Sequence, residues 1–169
     1  GSMTLARQGG APVTLVFGED YLPAGNAAKP AFTLSAPVVF VGQGIVGLGR
    51  DDYKGVDVKG KIVAFFGGAP TSFPAEERAH FGSAATKAEI ARKKGALGYI
   101  TLEAPKGGRG NYPFATVKTT WDRARTTWGK ADGTGYMPAA GTAPLGMLSK
   151  AGAAKLFAGA KVSWESVSK

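Results

Sequence analysis

The sequence predicts a mixed α+β fold, and three observations carry that prediction. Glycine supplies 26 of the 169 residues and proline 10, so the chain turns often and does not read as a helix bundle. Apolar runs of strand length recur, the clearest being Ile62-Val63-Ala64-Phe65-Phe66. That run is followed by a helical segment and then by a second apolar run. This is the order of two parallel strands joined by a right-handed crossover.

Each element has its own signal. Residues 12–17 (Pro-Val-Thr-Leu-Val-Phe) read as a first strand, and Gly18 to Pro30 as a polar connection. Val38-Val39-Phe40-Val41 is a continuous apolar run, expected of a strand covered on both faces. Glycines at 42, 44, 47 and 49 and the polar segment Arg50 to Gly55 then predict turns. Ile62–Phe66 ends at Gly67-Gly68, and residues 69–83 form an excursion containing two prolines, Pro70 and Pro74. Ser83 is placed to cap a helix running to about Lys94, with Ala84, Ala88 and Ala91 at helical spacing, Glu89 four residues before Lys93, and Gly95 closing it. Ala96 to Leu102 reads as the next buried strand. Residues 103–142 lack periodicity, and a short strand or hairpin is expected around Thr116–Trp121. Ala143 to Leu148 is a strand, Ser149 caps a helix over Lys150–Phe157, and Lys161–Val167 alternates like a half-exposed strand. One domain is expected over residues 4–169, with Gly1-Ser2-Met3 set aside as the remnant of an expression tag.

Composition narrows the chemistry. With no cysteine, disulfides, thiolate metal sites and cysteine nucleophiles are all excluded. His80 is the single histidine, whereas a catalytic zinc commonly draws on at least two His or Cys among three protein ligands. None of Ser35, Ser72, Ser83 and Ser149 lies in a G-x-S-x-G turn. Asp51-Asp52 falls short of a calcium loop, and turn or capping roles are expected of it. No apolar run reaches the roughly 20 residues of a membrane span.

Two patterns suggest other functions. Gly42-Gln43-Gly44-Ile45-Val46-Gly47 matches the G-x-G-x-x-G of dinucleotide-binding loops, which must open a helix near Gly44 and carry an acidic residue about 20 positions on. The glycines and aspartates that follow admit no helical face, so a glycine-rich turn is the preferred reading. The net charge of +9 and a mixture of basic and aromatic residues (Lys106, Arg109, Lys118, Arg123, Arg125 and Lys130 among Tyr112, Phe114, Trp121 and Trp128) raise nucleic-acid binding. No nucleic-acid fold signature accompanies them. Aromatics anchoring a loop, with the charges in water, are preferred, and no nucleic-acid partner is expected.

A longer pattern is more specific. Ala-Pro-Val-Val-Phe-Val-Gly-Gln-Gly-Ile at 36–45 and Asp-Asp-Tyr-Lys-Gly-Val-Asp-Val-Lys-Gly-Lys-Ile-Val at 51–63 resemble the protease-associated domain of secreted zinc aminopeptidases, enzymes of the co-catalytic-zinc group related to the transferrin receptor. Lys87 to Leu102 resembles that domain's helix and buried strand, and Ala143–Ser149 with Ala153–Phe157 its closing strand and helix. The resemblance implies a swivelling β/β/α fold with a β-sandwich-like core and small flanking helices. It implies a non-catalytic module inserted in a secreted or periplasmic bacterial peptidase, with zinc held by a catalytic domain outside this chain. Its partners would be that catalytic domain and peptide substrates. The expected contact surfaces are the 67–83 excursion and the 103–136 loop, with Phe73, His80, Phe81, Tyr112, Trp121 and Trp128 as candidate contact residues.

Overall fold

A computed structural model describes residues 1–7, 9–106, 111–124 and 126–169. The elements in chain order are β1 (Thr4–Arg7), β2 (Gly10–Thr14), β3 (Tyr21–Pro23), β4 (Val38–Phe40), β5 (Val46–Gly47), β6 (Arg50–Asp51), β7 (Ile62–Phe66), α1 (Ala75–Gly82), α2 (Ala84–Lys93), β8 (Gly98–Leu102), α3 (Phe114–Lys118), β9 (Ala143–Leu148), α4 (Lys150–Phe157) and α5 (Trp164–Val167). The fold is mixed α and β, as the glycine content and the strand-length runs predict.

The centre is a five-stranded sheet in the order β3-β9-β8-β7-β4. β4, β7, β8 and β9 are parallel, and β3 runs antiparallel along β9. β7 lies between two neighbours and is buried at every position, which explains its unbroken apolar sequence. Its alternate residues face opposite layers. Ile62, Ala64 and Phe66 join Ile100, Leu102, Leu148 and the α4 residues Ala153 and Phe157, while Met3, Leu5 and Trp164 pack against this cluster from outside. Val63 and Phe65 join Val41, Tyr53, Val58, Ala96 and the α2 residue Ala91 on the other face. The core is thus one sheet between two layers of helix and loop. The other sheets are two-stranded, β1-β2 and β5-β6, so no second large sheet completes a sandwich among the described residues.

β8 and β9 pair through a bulge. The register steps between Tyr99 and Ile100, so that Pro144 and Gly146 oppose consecutive β8 residues. Gly146 takes φ 129° there, and a Cβ on it would lie 2.0 Å from the Leu22 carbonyl oxygen of β3. Only glycine lets β3 close on β9 at this point.

Several expectations need correction. The strand expected over 12–17 is β2, spanning Gly10–Thr14, and it pairs with β1, which the sequence does not announce. The connection from Gly18 to Pro30 contains β3. β4 sits at the sheet edge with Val38 39% exposed, so its apolar run is not covered on both faces. The excursion after Gly68 contains α1, which has no buried residue and therefore no apolar stripe to read. The segment Thr116–Trp121 belongs to the end of α3 and a turn rather than to a hairpin. Lys161–Val167 is not a strand: the Ser163 hydroxyl accepts from the Ser166 amide and starts α5. Within α2, Glu89 pairs with Arg92 at 2.7 Å rather than with Lys93, and Ser83 makes no side-chain cap. Ser149 does cap α4, accepting from the Gly152 amide at 3.1 Å. At the N-terminus, Leu15 N–H donates to the Met3 carbonyl at 2.9 Å and the Tyr21 hydroxyl to that of Gly1 at 2.7 Å.

Candidate functional site

Parallel strands bring the loops that follow them to one edge. Residues 41–61 leave the carboxyl end of β4, residues 67–83 that of β7, and residues 103–113 that of β8. In sheets of this kind the crevice outside the carboxyl ends is where ligands and partners bind. The two segments expected to carry contacts therefore start from adjacent strands at the same edge.

Asp52 organises the first of these loops. One carboxylate oxygen accepts from the Gln43 amide at 3.1 Å and the Ile45 amide at 3.0 Å, and the other accepts from Arg50 Nε at 2.7 Å. Asp51 accepts from the Tyr53 amide at 2.9 Å, the Asx-turn geometry expected of this pair. Gly42 and Gly44 adopt φ of 55° and 66°, which lets the chain wrap around the carboxylate. The loop leads into the β5–β6 hairpin, where a dinucleotide loop requires a helix. The Gln43 and Ile45 amides of this loop are spent on Asp52 and the Gly44 amide on the Val41 carbonyl at 2.7 Å, rather than turned toward a phosphate.

Lys87 is the residue that sequence reasoning missed. It lies on α2, where a lysine is ordinarily solvated, yet it is 0% exposed. Its Nζ donates to the carbonyls of Gln43, of Phe66 at 3.1 Å and of Gly68 at 2.6 Å, and lies 5.7 Å from the centre of the Phe65 ring. Burial lowers its pKa from 10.5 to about 7; the Asp52 carboxylate pulls it back up and Arg50 pushes it down. The ammonium thus ties together the ends of β4 and β7. Position 87 falls in step with Ala84, Ala88 and Ala91 on the helix, and that spacing is the one signal that could have placed it inward.

Three of the six candidate contact residues come together. Phe73 and Phe81 meet edge to face at 5.8 Å, and His80 meets Phe81 at 5.0 Å. All three belong to the excursion, with Phe73 and Phe81 half-buried and His80 exposed. Phe81 reaches back over the hairpin, and its ring occupies the space that a Cβ on Gly47 would take. The other three do not join them in one cluster. Trp121 packs edge to face on Phe17 at 5.0 Å. Tyr112 is 63% and Trp128 83% exposed, with Trp128 paired to Tyr136 across a small turn (Tyr136 N–H to the Trp128 carbonyl, 2.7 Å). Trp121 and the buried Phe114 thus anchor their segment, while Tyr112 and Trp128 are available for contact.

Of the basic residues, Arg92 is paired with Glu89, and Lys94 lies 4.0 Å from Asp51 and over the Tyr53 ring. Arg109 and Arg125 lie outside the described residues. Among the described residues no three His, Cys, Asp or Glu side chains converge as a metal site, and no helix is long and apolar enough to cross a membrane. No protein-family model, curated protein or solved structure matches the chain.

Proposed function

We propose that this chain is a non-catalytic protease-associated module of a secreted zinc aminopeptidase, governing which peptides reach the metal. One observation carries the proposal. The segments that bear the resemblance build the four parallel strands and their hub: β4, Asp51-Asp52-Tyr53, β7, α2, β8, β9 and α4. The two segments expected to carry contacts, 67–83 and 103–136, leave the adjacent strands β7 and β8 at the carboxyl edge, as expected of a frame that presents variable contact loops. The swivelling β/β/α architecture of that family belongs to the same proposal.

The mechanism is steric and recognitional. The family resemblance implies that zinc is held by a catalytic domain outside this chain. What this chain contributes is contact side chains, the Phe73–Phe81 pair of the excursion and the exposed Tyr112 and Trp128, set over the approach to the metal as a lid element. Aromatic side chains there bind peptide backbone and apolar residues with little loss of conformational freedom.

The test has two arms. The isolated chain, assayed with added zinc on aminoacyl arylamides, is expected to show no turnover, and zinc-dependent hydrolysis by it would sink the proposal. In the parent enzyme, removal of residues 4–169 is expected to relax the preference between short and long peptides. Within the intact parent, Trp128→Ala and Tyr112→Ala should shift that preference in the same direction and leave Tm within about 1 °C, since both side chains are exposed. An unchanged size preference in all three would redirect the proposal toward partner docking alone.

A further inference from the structure

We propose that residues 69–82 form a hinged flap, closed by Phe81 seated on Gly47 and anchored at its base by Lys87. Four observations combine. First, the segment is bounded by glycine at both ends: Gly67-Gly68 on one side, with Gly68 at φ 70°, and Gly82 on the other. Such positions absorb backbone rotation at low cost.

Second, α1 has no buried residue, and its proline N-cap makes no side-chain cap hydrogen bond. Its attachment to the rest of the fold is therefore weak, which is the condition for opening without global unfolding. Third, one side chain carries the segment onto the β5–β6 hairpin. The Phe81 ring fills the position above Gly47 that any other residue's Cβ would occupy, and Phe73 and His80 brace that ring at 5.8 and 5.0 Å. Fourth, the base of the flap is fixed where its tip is not. Lys87 holds the Phe66 and Gly68 carbonyls, and the same ammonium holds the Gln43 carbonyl of the loop that leads to Gly47. One buried side chain thus sets both the flap's point of departure and the seat on which it closes.

Opening moves Phe73 and Phe81 together off the β5–β6 hairpin and exposes Gly47 with the flanking Val46. The flap does not depend on the peptidase reading. It is a property of this fold, and its test reads amide exchange rather than activity.

Hydrogen exchange followed by mass spectrometry on the whole chain provides the test. In the unaltered protein the hydrogen-bonded amides within residues 76–82, those from Arg78 onward, should be protected, with protection well below that of β7 and α2. Phe81→Ala should raise exchange in 76–82 by about tenfold or more while β7, β8 and α2 keep their rates and Tm stays within about 3 °C. Gly47→Ala, whose Cβ alone fills the seat and leaves Phe81 in the chain, should give the same local pattern together with a Tm loss from backbone strain at φ 152°. Lys87→Met should raise exchange in 43–45 as well as in 67–82. Should Lys87→Met fail to fold, the Phe81 and Gly47 variants still decide the matter. Either of two results overturns the flap: unchanged exchange of 76–82 in both of those variants, or loss of protection in 76–82 only together with β7 and α2. Full exchange of 76–82 in the unaltered protein would also overturn it, because the closed state would then not be the resting one.

Discussion

Gly146→Ala is expected to cost about 3–5 kcal/mol and to lower Tm by about 10 °C or more. Two penalties act at once. The residue holds φ 129°, where a side chain is strained, and its Cβ would lie 2.0 Å from the Leu22 carbonyl oxygen and 2.9 Å from Pro23 Cα. Neither neighbour is the free end of a flexible side chain. Relief therefore requires β3 to leave β9, which breaks the pairing of Tyr21, Leu22 and Pro23 with Leu148, Met147 and Gly146. Tyr21 and Leu22 are among the most buried residues of the chain, so their displacement opens the α4-side core. Two comparisons isolate the cause. Gly133→Ala adds backbone strain at φ 80° with no atom within 4 Å, and should cost about 1–2 kcal/mol. Gly129→Ala, with neither strain nor a close neighbour, should be near neutral. Thermal denaturation of the three variants side by side is the measurement. Equal losses for Gly146→Ala and Gly133→Ala would mean that the clash with β3 is not what matters.

The same contrast between local and distant causes decides what could be read from the sequence. β7 is legible because burial on both faces writes five apolar residues in a row. α2 is legible because Ala84, Ala88 and Ala91 repeat on one side, and β9 followed by α4 because Ser149 caps the helix with its own hydroxyl. β3 is three residues long and owes its existence to β9, more than 120 positions away, so nothing local marks it. α1 carries no apolar stripe, having no buried face to produce one. Lys161–Val167 alternates over too few residues to distinguish a strand from a single capped turn of helix.

The candidate site divides along the same line. The Asp51-Asp52 turn and the aromatic excursion are sequence-local and were legible. The burial of Lys87 was not, because it depends on three carbonyls supplied by the loops after β4 and β7. The glycine triplet at 42, 44 and 47 misleads for a related reason. Its letters match a phosphate loop, while its geometry serves an internal carboxylate, Asp52, and an internal ring, Phe81. Glycine is required in both situations because backbone must approach something closely. The sequence records the requirement but not the object approached.

Lys87→Met is expected to lower stability by about 2–3 kcal/mol at pH 7, or about 5–10 °C in Tm. Methionine fills much of the space of the lysine stem but leaves the carbonyls of Gln43, Phe66 and Gly68 without the donor they share. The pH dependence is the more telling half of the prediction. Burial places the folded pKa of Lys87 at about 7, below the ordinary 10.5. Between those values the unfolded chain binds a proton that the folded chain has released, so this group makes stability rise with pH across that window. The slope is at most about 1.4 kcal/mol per pH unit. Carbonyls only accept, so three of them around one nitrogen favour the ammonium and shorten the window from its lower end without reversing its direction. Lys87→Met lacks the group, and the stability gap between the two proteins should therefore widen from pH 7 to pH 10. Chemical denaturation of both at unit pH intervals measures that gap, and other groups titrating in the range cancel in the difference. A gap that narrows as pH rises would mean that the fold holds Lys87 as an ammonium more tightly than water does. The carbonyl cage would then outweigh burial, and the clasp at the carboxyl edge would be held by charge rather than in spite of it.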